Sequence, residues 1–166
     1  MKVITEDSRT LSFYDSEKLL CKLIHSRSYS SNAEIAMENG EIYRIESAGF
    51  WKNLFEVKCQ GKVVVTLRKK WTGKTVLTTH PPLVSNVYSF EHRGLFNSRY
   101  VLFDKDEREM AVVRSKFRWK GLRVDFETEA SDSLRRREGY LLLLVLTTYL
   151  ARLMIRQHSS GVAAAS

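Results

Sequence analysis

Proline is nearly missing from this chain: two residues in 166, both in the step Pro81-Pro82, beside only eight glycines. So little of either argues against a long linker between separate domains. The length suits one domain with a substantial core. Cysteine is equally scarce. Cys21 and Cys59 have no C-x-x-C spacing and no neighbouring histidine. Neither a zinc site nor a disulfide framework is indicated, and free buried thiols are expected. No apolar stretch follows Met1 in MKVITEDSRT, so no secretory signal is read and a cytoplasmic location is expected.

Catalytic signatures are missing too: there is no G-x-S-x-G, H-E-x-x-H or G-x-G-x-x-G. Trp71-Thr72-Gly73-Lys74-Thr75 ends like a phosphate-cradling loop, but Arg68 stands where the first glycine of such a loop belongs. His25, His80, His92 and His158 are scattered. The carboxylates of Asp125, Glu127 and Glu129 recur at every second residue, which on a strand lines one wet outer face. The expectation is therefore no enzyme, no cofactor and no metal. An enzyme whose site assembles from residues distant in sequence is the alternative in that class, and titratable groups converging on a deep pocket would be its sign.

What the chain does have is positive charge, and it is localised. The formal charge is +8, yet residues 52–123 alone carry an excess of ten positive charges. An excess so placed suits a polyanionic partner, anionic lipid or nucleic acid, or else simply dresses a solvated face.

Up to about residue 130 the sequence reads as short apolar runs separated by turn signals every 8–12 residues or so. The runs are 2–5, 10–14, 18–25, 33–38, 41–47, 54–59, 62–68, 75–80, 86–91, 99–104, 109–115 and 122–129, which makes about twelve strands. Asn39-Gly40 is the strongest hairpin signal and predicts a type I′ turn. Leu122-Arg123-Val124-Asp125-Phe126-Glu127 alternates apolar and charged residues without exception, so one face is buried and the other wet. Trp51-Lys52-Asn53, Trp71-Thr72-Gly73 and Trp119-Lys120-Gly121 repeat an aromatic followed by a residue tolerant of positive φ, and read as a reused turn.

The pattern then changes. After the capping residues Ser131-Asp132-Ser133 and the basic run Arg135-Arg136-Arg137 comes GYLLLLVLTTYLARLMI, residues 139–155. A helix apolar on every face must be enclosed by protein or by lipid. Its uncharged part, Gly139–Ala151, is shorter than the roughly 20 residues that cross a bilayer. A buried central helix over about 133–157 is therefore expected, rather than a tail anchor. Arg135–Arg137 and, at the other end, Arg152 and Arg156 are expected to project at the two mouths of a barrel, and 158–166 to form a flexible tail.

A dozen strands followed by one wholly apolar helix resembles the tubby C-terminal-like superfamily, with its LURP-one-related and phospholipid-scramblase-like branches. The best local likeness is the hairpin from Tyr100 through Asp104, Asp106 and Glu107 to Met110-Ala111, followed by LRVDFETEASDSL entering the helix. The resemblance implies a mainly β fold, about twelve antiparallel strands in a barrel enclosing a C-terminal hydrophobic helix, with residues 1–157 as one tubby-like domain. It implies lipid-related functions for the family, phosphoinositide binding among them, without a residue-by-residue pocket to carry over. The acidic turn Asp104/Asp106/Glu107 lacks the ligand spacing and glycine of a calcium loop and reads as a polar hairpin.

Two stretches interleave basic and aromatic residues: Arg68, Lys69, Lys70, Trp71 and Lys74, then Arg114, Lys116, Arg118, Trp119 and Lys120. Cations can pair with phosphate while indoles enter a lipid interface or stack on bases. In the bland alternative each Trp packs inward across its hairpin. The expectation is a non-enzymatic binding or scaffold module that recognises anionic phospholipid headgroups, cytoplasmic and peripheral at the membrane. A nucleic-acid-binding module using the same residues as stacking platforms is the rival.

Overall fold

Period-two alternation buries one face of most strands, while Tyr100–Phe103 and Met110–Val113 are buried on both faces, with Val101, Phe103 and Val112 as a second apolar cluster. Leu11, Phe13, Leu23, Ile35, Ile45, Val57, Leu67, Leu77, Phe90 and Leu102 are all fully enclosed. The computed structural model describes residues 1–28, 30–49, 53–94, 99–119, 121 and 123–163, with side chains as far as residue 157. The strands are β1 (Lys2–Thr5), β2 (Thr10–Asp15), β3 (Lys18–His25) and β4 (Ala33–Met37). They continue as β5 (Ile42–Ala48), β6 (Leu54–Cys59), β7 (Lys62–Lys69) and β8 (Thr75–Thr79). The last are β9 (Val87–Arg93), β10 (Arg99–Phe103), β11 (Glu109–Arg118) and β12 (Arg123–Ala130). Each pairs antiparallel with its chain neighbours, and β1 pairs with β12, so the sheet is a closed twelve-stranded barrel.

Tight turns set the register. Gln60 and Gly61 both have positive φ, 50° and 79°, which is what a two-residue type I′ hairpin requires. Asn39-Gly40 does not make that turn. Gly40 alone is left-handed, its N–H donates to Met37 O at 3.1 Å, and Met37 N–H donates to Glu41 O at 2.9 Å. This is a three-residue loop, a type I turn closed by a left-handed residue. The same pair of bonds recurs at Lys70–Lys74 and Asp104–Arg108, with Gly73 and Glu107 left-handed. In the last, the Asp104 carboxylate accepts from the amides of Asp106 and Arg108 at 2.9 and 3.0 Å, so the acidic turn binds itself.

The seam between β1 and β12 differs from the other strand pairs. Its ladder holds Lys2 opposite Glu127 and Val3 opposite Phe126, extended by Met1 and Thr128 exchanging N–H···O bonds of 3.0 and 2.9 Å. Beyond Val3 the strands part, and side chains clasp them instead. Asp125 Oδ1 accepts from Thr5 N–H at 2.8 Å, Arg118 Nη2 donates to Thr5 O at 2.8 Å, and Arg123 reaches Glu6 O.

A short helix α1 (Asp132–Arg135), capped by the Ser131 hydroxyl, follows β12. The chain then breaks at Gly139 (φ 75°) before α2 (Tyr140–Ala163). The single helix expected over 133–157 is thus divided at its start and extends past its expected end. Two things explain the break. Gly139 adopts a backbone conformation that L side chains rarely take, and a Cβ there would lie 2.8 Å from Leu83 Cδ2. Leu142–Ala151 fills the barrel, every side chain buried. Thr147 and Thr148 satisfy their hydroxyls on Leu143 O and Leu144 O, 2.6 and 3.0 Å away. Tyr140–Gln157 is long and apolar enough to cross a membrane by composition, and 61% of it is buried inside the barrel.

Candidate functional site

Antiparallel order places alternate connections at alternate rims. The connections 6–9 and 70–74 and the described parts of 26–32 and 119–122 share one rim, here called upper; 80–86, 104–108 and α1 lie at the lower rim. Helix α2 enters beside Leu83 at the lower rim and leaves at the upper one. There Arg152 Nη2 donates to Ser8 O at 2.9 Å, Tyr149 OH to Ser31 O at 2.6 Å, and Lys69 Nζ to Gln157 Oε1 at 2.7 Å. At the lower rim Arg137 donates to Tyr88 OH at 2.9 Å.

Both basic-aromatic stretches lie at the upper rim, and neither indole packs inward. Trp71 is fully exposed and Trp119 is 83% exposed. Phe117, half-exposed, meets Trp119 edge to face with centroids 5.0 Å apart. The surroundings explain this. Trp71 sits at the tip of a three-residue loop, beyond the last ladder pair Lys69–Thr75, with no facing strand to cover it. The second stretch is not wholly a turn, because Arg114–Arg118 belongs to β11. Its last ladder pair is Arg118–Arg123, which leaves a loop of different length, so the shared Trp-x-Gly pattern closes two different turns. Trp51 and Lys120 lie outside the described residues.

The basic side chains divide by partner. Arg114, Lys116 and Arg118 pair across β11–β12 with Glu129, Glu127 and Asp125, at 2.6, 2.5 and 3.2 Å. The alternating carboxylates of β12 thus match the alternating cations of β11 on the outer wall. Lys74 pairs with Glu91 at 2.7 Å, and the carboxyl of Glu91 is held low first by that bond. Lys69 points inward at the rim and meets the helix. Arg68 and Lys70 are exposed with no acidic partner among the described residues.

Sequence reading did not select Arg123, Arg152 or Arg156 for the site. Arg152 and Arg156 were expected to project from the barrel, but Arg152 is only 6% exposed. Burial first, then the neighbouring charge of Arg156, lowers its pKa to about 10. Beside them His25 is fully enclosed, its Nδ1 2.9 Å from Ser30 O and its ring stacked on Tyr149 at 5.9 Å. Burial, followed by Arg152 and Arg156, pushes His25 down to about 4. The available signal was the i, i+4 spacing of two arginines at the end of an apolar helix, which places both on one face. Both cysteines are free, Cys21 buried and Cys59 partly so. Among the described residues no group of His, Cys, Asp or Glu is placed to hold a metal ion. The architecture, a twelve-stranded barrel around a buried C-terminal helix, is consistent with a tubby-like fold. No family model matches the chain, and no curated protein and no solved structure matches it.

Proposed function

We propose that the protein is a non-enzymatic module, cytoplasmic and peripheral at membranes, whose upper rim binds anionic phospholipid headgroups. The observation that carries this reading is the outward orientation of Trp71, beside Arg68 and Lys70, and of Trp119 at the same rim. An exposed indole is amphipathic and favours the headgroup region of a bilayer. A Lys or Arg near an anionic surface contributes on the order of 1 kcal/mol, so a few cations with two indoles give weak, reversible docking. The resemblance of the barrel-around-helix order to the tubby C-terminal-like superfamily supports a lipid ligand.

The ion pairs determine which side chains are informative. Lys116 and Arg118 already neutralise Glu127 and Asp125, so reversing them would also disturb β12. The test is co-sedimentation with phosphatidylserine vesicles, with phosphatidylcholine vesicles and a single-stranded oligonucleotide as controls. Wild type sediments with the anionic vesicles at low salt and is released as salt rises. Arg68→Glu with Lys70→Glu abolishes this, and Trp71→Ser with Trp119→Ser weakens it at every salt concentration. Absence of vesicle binding by wild type overturns the proposal. Tight oligonucleotide binding without vesicle binding replaces it with a nucleic-acid module that uses the indoles as stacking platforms.

A further inference from the structure

Where β1 and β12 part above Val3, the barrel wall opens into a cleft of about 560 Å³ at the upper rim. It is lined by Arg123, Arg152 and Arg156, by Ser8 and Ser28, and on its apolar side by Ile155. One carboxylate, that of Asp7, also lines it. That carboxylate accepts from Arg9 N–H at 2.6 Å and Thr10 N–H at 2.7 Å in its own turn, and its charge also favours the protonated Arg152 without a salt bridge between them. Neither Arg123 nor Arg152 has a salt bridge among the described residues, and both spend donors on backbone carbonyls. Arg152 Nη1 is buried with no hydrogen-bond partner among the described residues.

A buried guanidinium with an unused donor, beside a second cation, is costly unless an anion meets it. We propose that this cleft seats one phosphate group, with Arg152 and Arg123 as its principal donors and Arg156 beside them. Phosphate fits better than carboxylate. Three arginines, with one hydroxyl hydrogen left over from the 2.9 Å bond between Ser8 and Ser28, offer more donors than two carboxylate oxygens can accept, and guanidinium forks match phosphate oxygens two at a time. Ile155 provides an apolar lip on which the stem of a phosphate ester can lie. The proposal does not depend on membrane docking, because the cleft holds the same groups whether the phosphate is free or carried by a lipid.

The test uses the full chain without vesicles. Thermal unfolding is followed against inorganic phosphate, glycerol 3-phosphate and dihexanoyl phosphatidic acid, each below its micelle concentration where one exists, with chloride at matched ionic strength. A saturable rise in Tm with phosphate and none with chloride is expected. Arg152→Met and Arg123→Gln each weaken the apparent affinity about tenfold or more. Should Arg152→Met fail to fold, Arg123→Gln, on a partly exposed side chain, carries the same prediction. Tightest binding of glycerol 3-phosphate or inorganic phosphate supports a soluble ligand; tightest binding of the short-chain lipid supports a headgroup. No phosphate-specific rise, or a full rise retained in Arg123→Gln, overturns the seat. Because no bilayer is present, these results stand whether or not the vesicle experiment succeeds.

Discussion

Gly139 marks the junction at which the chain leaves the sheet and starts the core helix. Its φ of 75° is a conformation that costs an L side chain about 1–2 kcal/mol. Gly139→Ala is expected to lower stability by about that amount, since the Leu83 methyl in its way can move aside. Gly139→Asn, which tolerates the left-handed region, is expected to lose less, and urea unfolding of the two variants checks the order. His25 makes a second residue-scale prediction. Its pKa is about 4 in the folded chain against an ordinary 6.5, so between those values the unfolded state binds more protons. Stability is complete above pH 6.5 and falls as pH drops toward 4, by roughly 3 kcal/mol from this group. His25→Gln should flatten that part of the profile, measured as the change in urea midpoint between pH 7 and pH 4.5. An equal slope in both proteins would refute the assignment. At this scale the sequence was least legible. A tryptophan beside a turn suits either a packed hairpin or an exposed tip, and only the missing facing strand decides. Arg152 looked like a projecting cation because nothing local reveals that the 6–9 loop folds over it.

Element boundaries were legible because strands leave a strong pattern: alternation fixes the faces, and turn residues interrupt it. The strand bounds agree closely with the runs read from the sequence, apart from β11, which extends to Arg118 where charged residues face the β12 carboxylates. Turn geometry was less legible. Asn-Gly permits type I′, but the bonds from Gly40 and Met37 select a three-residue loop, while Gln60-Gly61 takes the tighter turn. Helix α2 was conspicuous for being apolar all round, and its burial makes a sharp prediction. Leu144 and Leu146 are 3% and 0% exposed. Leu144→Ala should cost about 2–5 kcal/mol through the cavity it leaves. Leu146→Asp strands a charge in the core and should prevent soluble folding. A folded, monomeric product after deletion of residues 134–166 would mean that the barrel does not need its helix.

At the scale of the whole molecule, the charge pattern of the chain becomes a distinction between two ends. The lower rim has the Arg137–Tyr88 contact, the exposed Arg135 and Arg136 and the self-satisfied acidic turn, whereas the upper rim gathers two exposed indoles, Arg68 and Lys70, and the arginine cleft. Cell lysates fractionated without detergent should therefore leave the protein in the high-speed supernatant at moderate salt, with a membrane-bound fraction growing as salt is lowered. Recovery only after detergent extraction would indicate that α2 lies in lipid. The composition revealed the localised charge, but not that two hairpins distant in sequence share a rim, because that follows from strand parity in a closed barrel.

The seam between β1 and β12 also sets a timetable. Every other strand pairs with a neighbour made moments earlier, whereas β1 waits for the last strand, and the core helix is made later still. At 5–20 residues per second, roughly 6–25 seconds separate β1 from β12 on the ribosome. Through that interval the growing sheet has two open edges and no filling, a condition that favours association with other chains. Synthesis speed over residues 6–130 should thus govern yield more than the stability of the finished barrel, and a chain stalled before β12 would be held as an unclosed sheet.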